Sequence, residues 1–269
     1  MVTSLDPADE AVETGEEAVV VPLGAVEPDP GPTPEDAPVR ALVVCAHPDD
    51  VDFGASGTVA TWTDAGCEVT YCIVTDGAAG AADPEVDLAH LVEIRQREQR
   101  AAAHEVGVEE VVFLGFPDGR LEPTLDVRRE IARVIRAVRP ERLITQSPER
   151  NYSRIRASHP DHLAAGEAAL RAVYPDARNP YAFPELVDGG LEPFEVPEVW
   201  LMASPTGGRA VDITDAFSRK LAALRSHASQ ITEPERVGQF VREWGEQTAK
   251  LFGLGPGRLA ESFQVVDTR

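Results

Sequence analysis

The stretch RALVVC, at residues 40–45, constrains the fold of this chain more than any other feature. It is a continuous apolar run, which is typical of a parallel strand buried on both faces. Further apolar runs with strand character follow it along the chain. They are CEVTYCIVT (67–75), EEVVFLG (109–115), ERLITQ (141–146), PEVWLMA (197–203) and RAVDI (209–213).

Segments with the apolar spacing of amphipathic helices lie between these strands, and two more follow the last one. The predicted helices cover residues 53–64, 88–105, 126–138, 161–173, 215–230 and 234–250. Strands that alternate with helices predict an α/β fold, here a Rossmann-like three-layer sandwich with a mostly parallel sheet. Ligands bind such sheets at the carboxyl ends of the strands, so we expect the active site there.

The first 38 residues differ in composition from the rest of the chain. They carry ten Asp or Glu residues, no Lys or Arg, and seven of the 22 prolines. Such a composition is typical of a disordered or loosely packed arm. We therefore expect an acidic arm at 1–38 and a single domain at 39–269. The segment 174–197, rich in Pro, Gly and aromatic residues, is expected to be a long loop that shapes the substrate pocket.

The overall charge argues against several classes of partner. A net charge of −21 disfavours nucleic acid and anionic membranes. The three cysteines, Cys45, Cys67 and Cys72, form no CxxC motif, so a disulfide framework is not expected. We predict a cytoplasmic protein with reduced cysteines that acts on a small molecule. The sequence leaves open whether it forms a homo-oligomer.

The turn after the first strand carries the sequence AHPDD, which places His47, Asp49 and Asp50 at a strand end. A strand, a turn with glycines and a helix are also found in dinucleotide-binding proteins. Here the GxGxxG fingerprint is missing, and the aspartates would repel a pyrophosphate. The turn is therefore better suited to a metal ion than to a nucleotide.

A second HPD tripeptide occurs in SHPDH (158–162), after the fourth strand. Helix capping alone accounts for Ser158, Pro160 and Asp161. It leaves His159 and His162 unexplained, because a helix N-terminus disfavours a charged imidazole. Two such tripeptides at two strand ends favour a metal site. His90 and His104 lie among charged neighbours and are interpreted as surface residues.

The paired HPDD and HPDH motifs resemble those of the PIG-L/LmbE family of metal-dependent deacetylases. The resemblance runs from about residue 40 to about residue 231. Weaker features agree with it: TDGAAG after the second strand, IRQRE on the helix that follows, FPDG after the third strand, and HASQ near residue 227. Members of this family remove acyl groups from N-acetylglucosaminyl and related amides, typically with zinc.

The resemblance implies that His47, Asp50 and His162 bind the metal. Two histidines and one carboxylate leave a position open for water, as a catalytic zinc site requires. The same set also suits iron(II).

The resemblance further implies that Asp49 is the general base and that His159 stabilises the oxyanion. Asp161 would orient His159.

Substrate contacts are expected from Arg95, Asp118, Arg154 and His227. The alternatives are about equally favoured. Arg95 could instead be a surface charge on a helix, Asp118 a turn residue and His227 a core histidine. The sequence thus predicts a zinc-dependent hydrolase that removes an N-acetyl group from a glucosamine-type substrate. Alternatives left open are an amidase acting on a thiol-sugar conjugate and a metal- or sugar-binding domain without catalysis.

Overall fold

A computed structural model describes residues 37–81, 85–152 and 154–269. The expected arm at 1–38 lies outside these ranges, except for its last two residues, and stays a prediction. No helix in the described part of the chain is long and apolar enough to cross a bilayer. The three cysteines are buried and unpaired.

The sheet has seven strands in the order β3-β2-β1-β4-β5-β7-β6. Its strands are β1 (Arg40–Cys45), β2 (Glu68–Thr75), β3 (Glu110–Phe116), β4 (Arg142–Gln146), β5 (Glu198–Met202), β6 (Arg209–Asp212) and β7 (Ala260–Asp267). The first five are parallel, which confirms the predicted mostly parallel α/β sheet.

The helices are α1 (Asp50–Gly54), α2 (Ser56–Asp64), α3 (Leu88–Glu105), α4 (Leu125–Val138), α5 (Pro160–Arg171), α6 (Pro184–Asp188), α7 (Phe217–Arg225) and α8 (Pro234–Leu251). They cover both faces of the sheet. Alternate residues of β1 enter two separate cores, Val43 and Cys45 one of them and Leu42 and Val44 the other. Burial on both faces explains why β1 is apolar at every position after Arg40.

Strand β7 was not predicted from the sequence, so the predicted set of strands was wrong at this point. It lies between β5 and β6 and is antiparallel to both. The two helices that were expected to end the chain are therefore followed by a strand that lies in the interior of the sheet. Helix α7 also ends earlier than expected, at Arg225, and a turn leads from it to His227.

The segment 174–197 has a different role from the one expected. It contains α6, and its residues Ala177, Phe183 and Val196 are buried in the core beneath β5. Arg136 of α4, itself only 2 % exposed, donates hydrogen bonds to the carbonyl oxygens of several residues in this segment. The segment packs against the body of the protein and does not line the cavity described below.

Candidate metal and catalytic site

The turn between β1 and α1 is held in an unusual backbone conformation. Asp49 has φ 93° and ψ −27°, in the left-handed region that side chains rarely adopt. Such a conformation persists only where the surroundings enforce it, and it often marks a functional residue. Here Gln99 accepts a hydrogen bond of 2.8 Å from the Asp49 amide, and Arg95 donates one of 2.7 Å to the Pro48 carbonyl oxygen.

The second motif begins α5. His159 is the N-cap, and its Nδ1 accepts a hydrogen bond of 3.2 Å from the Asp161 amide, while Pro160 is the first helical residue. Ser158 was expected to be the cap. Its hydroxyl instead accepts a hydrogen bond from the Asn151 amide, which ties the approach loop to the start of the helix.

The two motifs meet at the carboxyl ends of β1 and β4. Asp50 Oδ1 lies 2.9 Å from His162 Nε2, and Asp50 Oδ2 lies 3.3 Å from His47 Nδ1. One nitrogen from each of His47, His159 and His162 lies within 4.8 Å of the others. Asp50 thus contacts both His47 and His162, and the ligand atoms that lie together are those of His47, His159 and His162.

Two carboxylates lie on the other side of the His47 ring. Its Nε2 is 3.0 Å from Asp118 Oδ1 and 3.2 Å from Asp161 Oδ2. Asp161 is nearly inaccessible and also accepts hydrogen bonds from the Gly119 and Leu121 amides. A carboxylate on the far nitrogen orients a ligating histidine and makes it a stronger donor, so this arrangement fits a metal site.

These contacts correct two expectations. Asp161 was expected to orient the His159 ring, but its carboxylate contacts His47, and only its backbone amide contacts His159. Asp118 was expected to bind a substrate hydroxyl, but it holds His47 and accepts a hydrogen bond from the Ala79 amide. Both carboxylates are thus used within the protein.

Arg95 and His227 are also buried rather than presented to a ligand. Arg95 is 3 % exposed and donates hydrogen bonds to the Gly77 and Pro48 carbonyl oxygens and to Asp49 Oδ2. His227 has no exposed surface, and its Nε2 lies 2.8 Å from Asp52 Oδ2. His227 therefore makes a structural contact with Asp52 and not the expected contact with a substrate. This agrees with the alternative of a core histidine.

Two glutamines at the site were missed by the sequence reasoning. Gln99 joins the Asp49 amide to Asp52 Oδ2, at 2.8 and 3.0 Å. Gln146 donates to Asp50 Oδ2 at 2.8 Å and accepts from the Ala46 amide. Signals were present in the sequence: Gln99 follows Arg95 by one helical turn, and Gln146 is a polar residue at the end of an apolar strand.

The charges of the cluster favour a cation. Burial opposes protonation of His47, yet Asp50 and Asp118 raise its pKa to about 11. Burial would raise the pKa of Asp50, but His162 and His47 hold it well below its usual range. The neighbouring aspartates thus favour a positive charge at His47 and His162, whereas burial and these two histidines lower the pKa of His159. A divalent ion can supply that charge instead, with release of the protons.

Asp49 differs from its neighbour Asp50. Burial and the charge of Asp50 raise the pKa of Asp49 to about 7, although the Arg95 guanidinium lowers it. A carboxyl group with a pKa near neutrality is suited to take up and release a proton.

A cavity of about 510 Å³ opens beside this cluster. Asp50, Gln146 and His162 form one end of it. Arg154 also lines it, with its guanidinium carbon 4.9 Å from the ring centroid of Trp244. Of the four predicted substrate contacts, Arg154 is the one that the structure places on this cavity.

Comparison with known proteins gives consistent results. A family model described as "PIG-L: GlcNAc-PI de-N-acetylase" matches residues 42–173. The diacetylchitobiose deacetylase of Thermococcus kodakarensis is 33 % identical over 228 residues, which is 84 % of this chain and 83 % of that protein. A 1D-myo-inositol 2-acetamido-2-deoxy-alpha-D-glucopyranoside deacetylase of Kineococcus radiotolerans is 30 % identical, covering 73 % of this chain and 70 % of that one.

Solved structures agree on the fold. The N,N'-diacetylchitobiose deacetylase from Pyrococcus horikoshii matches with a TM-score of 0.79 and 29 % identity, over 87 % of this chain and 86 % of that one. A 4-carboxy-2-hydroxymuconate hydratase from Pseudomonas putida KT2440 matches with a TM-score of 0.71 and 25 % identity, over 86 % and 97 %. Because proteins named for two different reactions share this fold, the reaction has to be argued from the site.

Proposed function

This chain belongs to the PIG-L family, and we propose that it is a metal-dependent hydrolase that removes an N-acetyl group from a glucosamine-type substrate. The observation that carries the proposal is the cluster of His47, His159 and His162, in which Asp50 contacts His47 and His162. Asp49 precedes Asp50 on the same turn. The named deacetylases among its relatives support the substrate class. Location in the cytoplasm stays a prediction.

The donor set fits a zinc ion, with iron(II) as the alternative. His47 Nδ1, an Asp50 carboxylate oxygen and His162 Nε2 would hold it, because Asp118 and Asp161 engage the other nitrogen of His47. When bound, the ion would polarise the amide carbonyl and make a water molecule more acidic.

The reaction is the hydrolysis of an amide. Asp49 is the group proposed to take a proton from the attacking water, whose oxygen then bonds to the carbonyl carbon. His159, at the entrance of the site, is proposed to donate a hydrogen bond to the oxyanion that forms. The C–N bond then breaks, and Asp49 passes its proton to the leaving nitrogen. The products are acetate and a free amine.

Arg154 is proposed as a substrate contact at the cavity wall. It is exposed, and its guanidinium group lies over the ring of Trp244. Exchange of Arg154 for Ala is expected to raise KM for the amide while kcat changes little, because Arg154 lines the cavity and the proposed base Asp49 is not among its lining residues.

The first test combines metal content with acetate release. Purified protein, incubated with zinc or iron(II), is expected to bind about one ion per chain and to release acetate from N-acetylglucosamine or N,N'-diacetylchitobiose. The His162→Ala variant is expected to lose both properties. The matched control is His90→Ala, which removes an exposed histidine of α3.

Three results would contradict the proposal in different ways. Failure to bind metal in the wild-type protein would remove the catalytic metal site altogether. Metal binding and sugar binding without acetate release would favour the alternative of a binding domain. Hydrolysis of a thiol-sugar conjugate in preference to simple acetylated sugars would favour the amidase.

A further inference from the structure

The cavity beside the cluster is much larger than an acetyl group requires. It is continuous with the proposed ligands, since Asp50 and His162 form part of its wall. Its volume of about 510 Å³ falls in the range of about 300–1,000 Å³ that is usual for pockets that enclose a drug-sized ligand. A methyl group next to the scissile carbonyl would leave most of this space without a ligand.

One wall of the cavity is an apolar face of α8. Phe240 and Val241 lie one helical turn before Trp244, and all three line the cavity. Phe240 is 53 % exposed, so its ring is accessible to a ligand. Phe53 and Met202, near the ends of α1 and β5, also line the cavity. The cavity thus has apolar residues from α1, β5 and α8 in its wall.

Two buried charged side chains of the cavity, Lys220 and Glu261, are paired within the protein. Lys220 Nζ donates to Glu261 Oε1 at 2.6 Å and to the carbonyl oxygens of Asp52 and Phe53. The other oxygen of Glu261 accepts hydrogen bonds from the Thr58 amide and hydroxyl. Lys220 and Glu261 therefore have little capacity left for the hydroxyl groups of a second sugar. The polar residues Arg154 and Arg156 also line the cavity, but Phe53, Met202, Phe240, Val241 and Trp244 give it a substantial apolar surface that an apolar occupant would cover.

We propose that the substrate of this protein carries an alkyl or aryl group larger than acetyl, and that this group lies in the cavity against Phe240 and Trp244. The inference rests on the proposed amide hydrolysis, because it places the group next to the scissile bond. An apolar group of this kind has two possible sources. It is either a longer N-acyl chain or an aglycone attached to an N-acetylated sugar.

Kinetic measurements distinguish the two sources. One series varies the acyl group of glucosamine from acetyl through butanoyl and hexanoyl to octanoyl. The other keeps the N-acetyl group and compares N-acetylglucosamine with its hexyl and octyl glycosides. In one of the two series, kcat/KM is expected to rise by about tenfold or more with chain length, as burial of additional methylene groups requires. The series that shows the rise identifies the source.

Two variants test where the chain binds. Phe240→Ala is expected to reduce the ratio of kcat/KM between the longest substrate and the acetyl substrate. The matched control Tyr181→Ala removes an aromatic side chain that is 87 % exposed and lies outside the cavity, and it is expected to leave that ratio unchanged. Equal rates along both series, or a ratio insensitive to Phe240→Ala, would overturn the proposal. A preference for diacetylchitobiose that depends on Phe240 would overturn it as well, because the cavity would then hold a second sugar.

A binding measurement separates failure of the subsite from failure of the proposed reaction. The chain has three tryptophans, and Trp62 and Trp200 are buried in the core, so a ligand in the cavity changes mainly the emission of Trp244. If no amide is hydrolysed, the proposed function fails. Binding of N-octanoylglucosamine and of the octyl glycoside then still decides the subsite. A saturable emission change with either ligand that is weakened by Phe240→Ala supports the subsite, and no change with both ligands refutes it.

Discussion

The backbone amide of Asp49 donates a hydrogen bond of 2.8 Å to the side-chain oxygen of Gln99, fifty positions further along the chain. This contact joins the β1–α1 turn to the middle of α3. It is one of the restraints that keep Asp49 in its left-handed conformation, with Arg95 holding both the preceding carbonyl and the Asp49 carboxylate. The position of the proposed base is therefore fixed by residues from another element.

We expect Asp49→Asn to reduce kcat/KM by about 10²–10⁴-fold while metal content stays at the wild-type value. Asparagine tolerates the left-handed region and keeps the shape of the side chain, so the turn should be preserved. The measurement is steady-state kinetics together with elemental analysis. Asp126→Asn, at an exposed position of α4, is the control. Undiminished turnover would exclude Asp49 as the base.

A second prediction concerns Gln99. Gln99→Met removes both hydrogen bonds of a fully buried side chain at nearly constant volume. We expect lower kcat with nearly unchanged KM, because Asp49 loses the restraint on its backbone. The free energy of unfolding should also fall by about 1–3 kcal/mol, since the Asp49 amide is left without its partner.

The control for this prediction lies on the same helix. Gln96→Met makes the same chemical change at a partly exposed position. Wild-type kcat in Gln99→Met, accompanied by the loss of stability, would show that Gln99 serves the fold and not the position of Asp49.

The buried pair of His227 and Asp52 predicts a pH-dependent contribution to stability. Burial lowers the pKa of His227, but Asp52, Asp49 and Glu98 raise it above its usual value. A raised pKa means that the folded state binds the proton more tightly than the unfolded state. The stabilisation is then complete below the unfolded pKa of about 6.5 and is lost as pH rises through the folded pKa.

Replacement of His227 by Leu should therefore lower Tm most at mildly acidic pH, and the difference from wild type should shrink in alkaline buffer. Thermal unfolding at several pH values measures this. His90→Leu serves as the control because His90 is exposed on α3. A Tm difference that is constant with pH would show that His227 contributes packing alone.

The ion pair of Lys220 and Glu261 gives a prediction about stability. Lys220→Met leaves Glu261 charged and buried, with hydrogen bonds only from the first turn of α2. We expect a loss of about 3–5 kcal/mol in the free energy of unfolding. Addition of Glu261→Gln should recover part of it, because the uncompensated charge is removed. The chain has one other lysine, Lys250, and Lys250→Met at that exposed site should change little.

The sequence predicted the parts of the site that lie at strand ends. Two HPD tripeptides after two buried strands had to meet, because parallel strands bring their carboxyl ends to one edge. The partners of individual side chains were not predictable in the same way. Whether Asp118 faces a ligand or His47 depends on a separation of a few ångströms between loops, and the pattern of one segment carries no information about that distance.

Strand β7 was missed for a related reason. Its residues AESFQVVD contain a glutamate at a position that the structure buries, which weakens the apolar pattern of a strand. The glutamate is tolerated because Lys220, forty-one positions earlier, neutralises it. Nothing in the sequence around Lys220 or Glu261 shows that the two residues pair with each other. In the sequence, therefore, both look like ordinary surface charges.

The position of β7 also has a consequence for how the polypeptide is made. A ribosome that has released β6 still has α7 and α8 to synthesise before it reaches Ala260. Until then β5 and β6 each present an unpaired edge, and the nascent chain has no strand to place between them. A stalled or prematurely terminated translation product would therefore expose the unpaired edges of both strands. This half of the sheet is then the part of the chain at which we expect aggregation or proteolysis by quality-control proteases to begin.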